Sequence, residues 1–453
     1  MATLAEELGE FVAGFRLDGN PKREELTRAA QMHILDALGV GLAATTFADA
    51  TPQALLALAH ASGESTDSTL FGLNARASVP VAAFVNGSLI HGCEFDAMHA
   101  ERIIHPNGPA VGASLALAER DDRTGLELAE AWIVAAETTL RLAAGLNDEE
   151  SLFSDGFHTS ALFGTFGAAA GVAKLLRLDA GKTAAALALC VSFAAGTSAG
   201  WDAATGRNKP LQPGWGAHGG TMAALLAAAG QGCALDAIDG PRGFFAAHAW
   251  RQGWSRESVT EGLRVEWKAP ATSFKVYPAG GMIQAANDCT LELVTEHDIR
   301  PEEVEAVEVV VPVQFARVLD QVLDASYVPA TGYATFVSWP CNVARAILSR
   351  SVEFAHLSES GVSDPALLEL ARRVSCRSGE DDATTVLIQT ARGSFERGRR
   401  LHSGHPPEMT LERVVDKFRR NAALVPEVQA EALVEAVLEL DELASVRQIT
   451  ELL

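Results

Sequence analysis

SALFGTFGAAAGVAKLL, residues 160–176, has the pattern of a helix buried inside a bundle. Its apolar side chains recur at helical spacing, and glycines and alanines sit on several faces at once. Small residues on many faces let helix axes approach closely, which suits a deeply buried bundle and not a surface helix. GGTMAALLAAA at residues 219–229 has the same character. Working outward, residues 26–42, 81–91, 109–119, 126–144 and 180–198 carry helical periodicity with few β-branched runs, so the first 265 residues read as packed helices. Asp179, and Pro109 after Gly108, mark helix starts; Gly145 and Gly230 mark stops.

The character changes near Trp267. VEAVEVVVPV at 304–313 is β-branched and framed by Pro301 and Pro312, and TTVLIQT at 384–390, ARG at 391–393 and SFER at 394–397 read as a hairpin. Residues 343–348 and 366–374 look helical. From Thr410 the tail returns to helix, with 411–420 and 425–440 alternating apolar and charged positions, and it is expected to pack back on the first part. The expected fold is mainly α: a large all-helical domain built from both chain ends, residues 1–265 and 405–453, plus a smaller α+β domain over 266–404. No internal repeat or low-complexity linker interrupts it.

Composition narrows the function. The 453 residues are 48% hydrophobic and 21% charged, as in an ordinary globular protein. Lys and Arg number 36 against 58 Asp and Glu, and the net charge of −22 repels phosphate backbones and anionic membrane surfaces. Neither nucleic acid nor a membrane is expected as a partner. The N-terminal residues lack a basic region followed by an apolar core, and no run of about 18 apolar residues follows, so a cytoplasmic protein is expected. Six cysteines lie far apart with no CxxC, which reads as free thiols and offers neither zinc nor iron–sulfur spacing. GxGxxG, GxxxxGKS and HExxH are absent, which speaks against nucleotide-binding and zincin readings.

Four segments place polar groups where a bundle core would not want them. HGCEFDAMH at 91–99, continuing through Glu101 and Arg102 to HPNG at 105–108, gathers three histidines, three carboxylates and an arginine. It reads either as a solvated loop with a capping Asp96 and a core His91, or as carboxylates setting the tautomer and basicity of an imidazole. DGFHTS at 155–160 puts His158 just ahead of a helix N-terminus, where free N–H groups favour anions. GRNKPLQPGWGAHG at 206–219 offers Lys209, which binds a carboxylate or is merely solvated. KAPATSFKVYPAGG at 268–281 sets Lys268 and Lys275 beside a loop that enters a helix near Met282, a place for a polyanion or for two solvated lysines.

In this order and spacing the segments resemble the MmgE/PrpD family of 2-methylcitrate dehydratase and cis-aconitate decarboxylase, which also contains iminodisuccinate epimerase. The matching pieces run nearly end to end: FVNG at 84–87 leading to His91, EFD at 94–96 followed by His105-Pro106, GFH at 156–158 with GTFGAAA at 164–170, KPL at 209–211 with Gly216-Ala217, EGL at 261–263, KVYP at 275–278, FVS at 336–338 and Lys417-Phe418. The resemblance implies that the smaller α+β domain is a lid, that the site lies in the cleft between the domains, that the molecule is a homodimer, and that neither metal nor organic cofactor is needed. It implies catalytic roles for His105, His158, Lys209, Lys275 and Asp96, with the two histidines as the proton-transfer pair. It implies substrate contacts from Glu94, Met98, His99, Cys341 and Gln284.

The chain departs from the family pattern at three places. Glu94-Phe95-Asp96-Ala97-Met98 stands where dehydratases and decarboxylases have Asp-x-Asp-Asp-Thr, which removes a carboxylate and a hydroxyl. Cys341 stands where they place a tyrosine, a loss shared by the epimerase branch. Gly280, Gly281 and Gln284 stand where basic or imidazole side chains are common. The implied function is a cofactor-independent lyase acting on a small anionic hydroxy polycarboxylic acid by proton abstraction next to a carboxylate. The alternatives are an epimerase of an iminodisuccinate-like acid, a cis-aconitate-type decarboxylase, and a non-catalytic binder with the same fold.

Overall fold

Backbone contact between helices sets the architecture. In this computed structural model, which describes residues 2–48, 51–99, 103–147, 152, 155–200, 208–251, 253–315, 329, 332–356 and 363–453, the helices of seven or more residues are α1 (Leu4–Gly14), α2 (Arg23–Phe47), α3 (Thr51–Ala61), α4 (Val79–Ile90), α5 (Asn107–Arg120), α6 (Gly125–Ala144), α7 (Thr159–Leu175), α8 (Ala180–Leu189), α9 (Leu211–Ala228), α10 (Gln284–Glu296), α11 (Trp339–Ser349), α12 (Pro365–Ala371), α13 (Leu411–Asn421) and α14 (Glu427–Leu438). Glu101, Arg102, Gly206 and Arg207 lie outside the described residues. Helices α5, α6 and α7 are buried along nearly their whole length. Where α9 crosses α7, a Cβ on Gly220 would come 2.3 Å from the Thr165 carbonyl oxygen, so these backbones touch and only glycine fits. Val414, Phe418, Leu433 and Val437 of α13 and α14 belong to the same apolar core, which brings the chain's end back onto α2.

The larger part is mainly helical but not all-helical. Ser68–Leu70 (β1) pairs antiparallel with Ala75–Ala77 (β2), and Met98–His99 (β3) pairs antiparallel with Thr272–Ser273 (β4). Strands of two or three residues carry too little alternation to read from sequence. The helix expected over 180–198 ends at Leu189 and passes into a 3-10 turn, Cys190–Ser192. Beyond it the Gly196 carbonyl accepts the backbone N–H of His158, so the chain there serves the site and no longer the bundle.

The smaller lobe has its own apolar core around a four-stranded sheet in the order β6-β5-β7-β8, made of Val304–Val311 (β5), Val374–Ser378 (β6), Thr384–Thr390 (β7) and Gly393–Arg399 (β8). The expected hairpin is β7–β8. The helix expected over 366–374 stops at Ala371, and Val374–Ser378 runs parallel to β5 instead. Only Val374 of that strand is buried, so its sequence shows no inward face. No single described helix is long and apolar enough to cross a membrane.

Candidate active site

Helix ends build the site. His91 caps the C-terminus of α4, His105-Pro106 leads directly into α5, His158 is the N-cap residue of α7, and Lys209-Pro210 leads into α9. Three helix N-termini therefore meet in this region, and their dipoles favour an anion there. The β3–β4 pair ties this loop to the strand that precedes Lys275. Glu94 turns the loop with φ +51°, a left-handed conformation that costs a non-glycine residue about 1–2 kcal/mol.

That turn gathers charge. Glu94, 2% exposed, takes Lys209 Nζ and the Tyr333 hydroxyl (2.6 Å) on Oε1, and Lys275 Nζ (3.2 Å) on Oε2. Lys275 Nζ also donates to the Glu94 carbonyl at 2.9 Å and lies 3.8 Å from Asp96 Oδ1. Asp96 Oδ2 meets His91 Nδ1 at 2.9 Å and His105 Nδ1 at 3.2 Å. Burial works to raise the Asp96 carboxyl, but His105 and His91 override it and hold the group well below the usual carboxylate range. Burial lowers Lys275 to about 8 against the pull of Asp96 and Asp36, and burial with the neighbouring Lys275 pushes Lys209 well below the usual lysine range.

The imidazoles are oriented as bases. Gln212 donates its Nε2 to the Thr197 carbonyl at 2.7 Å, which fixes its amide so that Oε1 faces His158 Nδ1 at 2.8 Å. His158 therefore carries its proton on Nδ1, leaving the lone pair on Nε2. Asp96 does the same for His91, while His105 Nδ1 faces the same carboxylate oxygen at ion-pair distance. Burial lowers His91 to about 3, and burial with the two neighbouring imidazoles holds His158 well below the usual histidine range. The His91 ring centroid lies 4.8 Å from that of His105 and 5.6 Å from that of His158, so the three rings form one cluster. Among the described residues, His91, Asp96 and His105 are also the group whose ligand atoms, within 4.8 Å of one another, could hold a metal ion.

Residues 6–257 match the MmgE/PrpD N-terminal domain and residues 277–442 the MmgE/PrpD C-terminal domain. The chain belongs to the MmgE/PrpD family. Curated relatives include cis-aconitate decarboxylase of Homo sapiens, 26% identical over 479 residues covering 100% of this chain and 95% of that protein. The Mus musculus protein of the same name is also 26% identical over 100% of this chain, and that of Aspergillus terreus is 24% identical over 82%. Membership makes this chain an enzyme of the lyase type, working on carboxylic acids.

In this MmgE/PrpD chain the structure brings Glu94, Asp96, His105, His158, Lys209 and Lys275 into one cluster. Two other residues that the resemblance assigned to substrate sit differently. Gln284 accepts from the backbone N–H groups of Val276 and Tyr277 and donates to the carbonyls of Tyr277 and Ala279, which uses the full capacity of its amide and makes it a brace for the 276–279 loop. Cys341 lies in the apolar core of the smaller lobe, where burial pushes its thiol up. His99, also assigned to substrate, is buried in β3 beside the site loop, its backbone N–H donating to the Ile104 carbonyl.

Met98 fills the space that Gly281 leaves open: a Cβ at position 281 would lie 2.3 Å from Met98 Cε and 2.6 Å from Sδ. Gly281→Ala is expected to cost about 1–3 kcal/mol of stability by overpacking, and Met98→Ala on top of it to recover part of that loss. Additive losses in a denaturant double-mutant cycle would show that the two sites are independent.

Three participants escaped the residue assignments made from sequence: His91 and Gln212 as partners of the bases, and Tyr333 on Glu94. Tyr333 is one of only three tyrosines and stands just before the FVS match, which was its one available signal.

Proposed function

We propose that this chain is a lyase that begins by removing a proton from the carbon next to a carboxylate of a small hydroxy polycarboxylic acid, with His158 Nε2 as the base. The observation that carries this reading is the locked Gln212–His158 pair: a neutral, buried imidazole, oriented as an acceptor, beside two lysines and three helix N-termini. As the C–H bond breaks, its electron pair passes into the carboxylate-conjugated enolate, whose charge faces Lys275 and Lys209. The hydroxyl then leaves the neighbouring carbon as water, taking a proton from the site. Tyr333 brings a phenol hydroxyl to this cluster, where it donates to Glu94.

The names of the relatives favour a second reading, decarboxylation of cis-aconitate. There CO2 leaves, its bonding pair stays on carbon, and that carbon takes up a proton that the site relays from solvent.

Proton NMR in D2O with 2-methylcitrate, citrate, cis-aconitate, malate and iminodisuccinate separates the readings. Elimination gives an olefinic product from a hydroxy acid. Decarboxylation consumes cis-aconitate and leaves one deuterium in the product, and deuterium entering a substrate without elimination marks an epimerase. No change in any of the five acids overturns both lyase readings. With the true substrate, the rate should fall above about pH 8, because Lys275 is cationic below that pH and loses its charge above it. A rate level from pH 7 to 10 would remove the charge of Lys275 from the slow step.

A further inference from the structure

Two lysines from distant parts of the chain hold two consecutive carbonyls of the active-site turn. Lys275 takes the Glu94 oxygen, and Lys417 of α13 takes the Phe95 oxygen, each at 2.9 Å. No backbone N–H among the described residues reaches either oxygen. Lys417 is 1% exposed; its Nζ also lies 2.6 Å from Asp36 Oδ1 on α2 and 3.8 Å from the centre of the Phe95 ring. Its ammonium is thus enclosed by a carboxylate, a carbonyl and an aromatic face. Burial pushes Lys417 down and Asp36 up, the mark of charges taken fully out of water.

A buried ion pair is a poor choice for stability alone, since an apolar pair of similar volume packs as well or better. What an apolar pair cannot do is hold a carbonyl. The Phe95 oxygen belongs to the peptide that joins Phe95 to Asp96, so any rotation of that plane moves the carboxylate on which His91 and His105 both depend.

We propose that Lys417, with Asp36 beneath it, is a positioning residue for the reaction: it fixes the 95–96 peptide plane and, through it, aims Asp96 at the two imidazoles. The inference rests on the reading of residues 94–96 as catalytic. It also gives the C-terminal segment a task in the site that packing would not require.

The test compares Lys417→Met, Lys417→Arg and the double variant Asp36→Asn/Lys417→Met, which removes both charges together and leaves no lone ion in the core. Hydrogen exchange at the amides of residues 95–97 is measured first, because it needs no substrate. It should rise about tenfold in the double variant while protection of α2 and α13 holds. Then kcat and KM are measured, with cis-aconitate as the probe or whichever of the five acids the unaltered enzyme consumes. The double variant should lose about a hundredfold in kcat, as for a displacement near 1 Å, with KM within about twofold, and Lys417→Arg should recover part of the rate.

Unchanged exchange at 95–97, a kcat equal to that of the unaltered enzyme, or a loss that follows only a smaller folded fraction would each overturn the proposal. If the unaltered enzyme consumes none of the acids, the functional reading fails while the exchange measurement still decides this one.

Discussion

His158→Asn is expected to lower turnover by about 10²–10⁴-fold, the range for loss of a positioned acid–base group, without loss of cooperative folding. Asparagine is the informative choice because its amide nitrogen lies near the place of Nδ1 and can still donate to Gln212 Oε1, while nothing replaces Nε2. Gln212 itself stays oriented by the Thr197 carbonyl. The stability loss should be about 1–3 kcal/mol, from ring atoms removed at a site 2% exposed. Thermal shift by the true substrate should persist, since Lys209, Lys275 and the helix N-termini are untouched. Turnover equal to that of the unaltered enzyme would remove His158 from the reaction, and loss of the thermal shift together with turnover would make it a binding group.

How far the sequence carries such an argument differs from residue to residue. His158 stands out in the sequence because it directly precedes a helix that its own periodicity announces, and a helix N-terminus is a physical reason for a polar side chain in an otherwise apolar bundle, whereas His105 and Lys209 are singled out by the family resemblance. Gln212 lies within α9 and reaches His158 only because the glycines and alanines of α7 and α9 let those helices touch. Tyr333 reaches Glu94 across 239 positions of sequence, and Lys417 reaches Phe95 across 322. Periodicity carries no information about such meetings. Gln284 shows the opposite failure: the resemblance implies a substrate contact, yet this first residue of α10 follows a loop that leaves four backbone groups, which its amide satisfies. The fold shows the same division, since long buried helices declare themselves whereas β6, with one buried residue, does not.

Glu94→Ala is expected to give the largest loss of stability. It removes the carboxylate that holds Lys209, Lys275 and the Tyr333 hydroxyl at once, and stranding one partner of a buried pair costs about 3–5 kcal/mol. Two sister variants divide that loss. Glu94→Gln keeps the shape and an acceptor oxygen but not the charge. Glu94→Gly strands the same lysines yet removes the strain of φ +51°, worth about 1–2 kcal/mol. Melting temperatures should fall in the order unaltered, Gln, Gly, Ala. If the cause is stranded charge, the penalty must also depend on pH. Without Glu94 the folded pKa of Lys275 drops below the value of about 8 that it has in the unaltered protein, so over a window below pH 8 folding of the variant alone has to release a proton. That cost shrinks by about 1.4 kcal/mol for each pH unit between the folded and the unfolded pKa. The gap between the Ala variant and the unaltered protein should therefore narrow from about pH 6 to pH 8, above which both proteins release that proton. A gap that stays constant over that range would assign the loss to packing and hydrogen bonds, and Glu94 would then act as a spacer in the turn and not as the counter-charge of the two lysines.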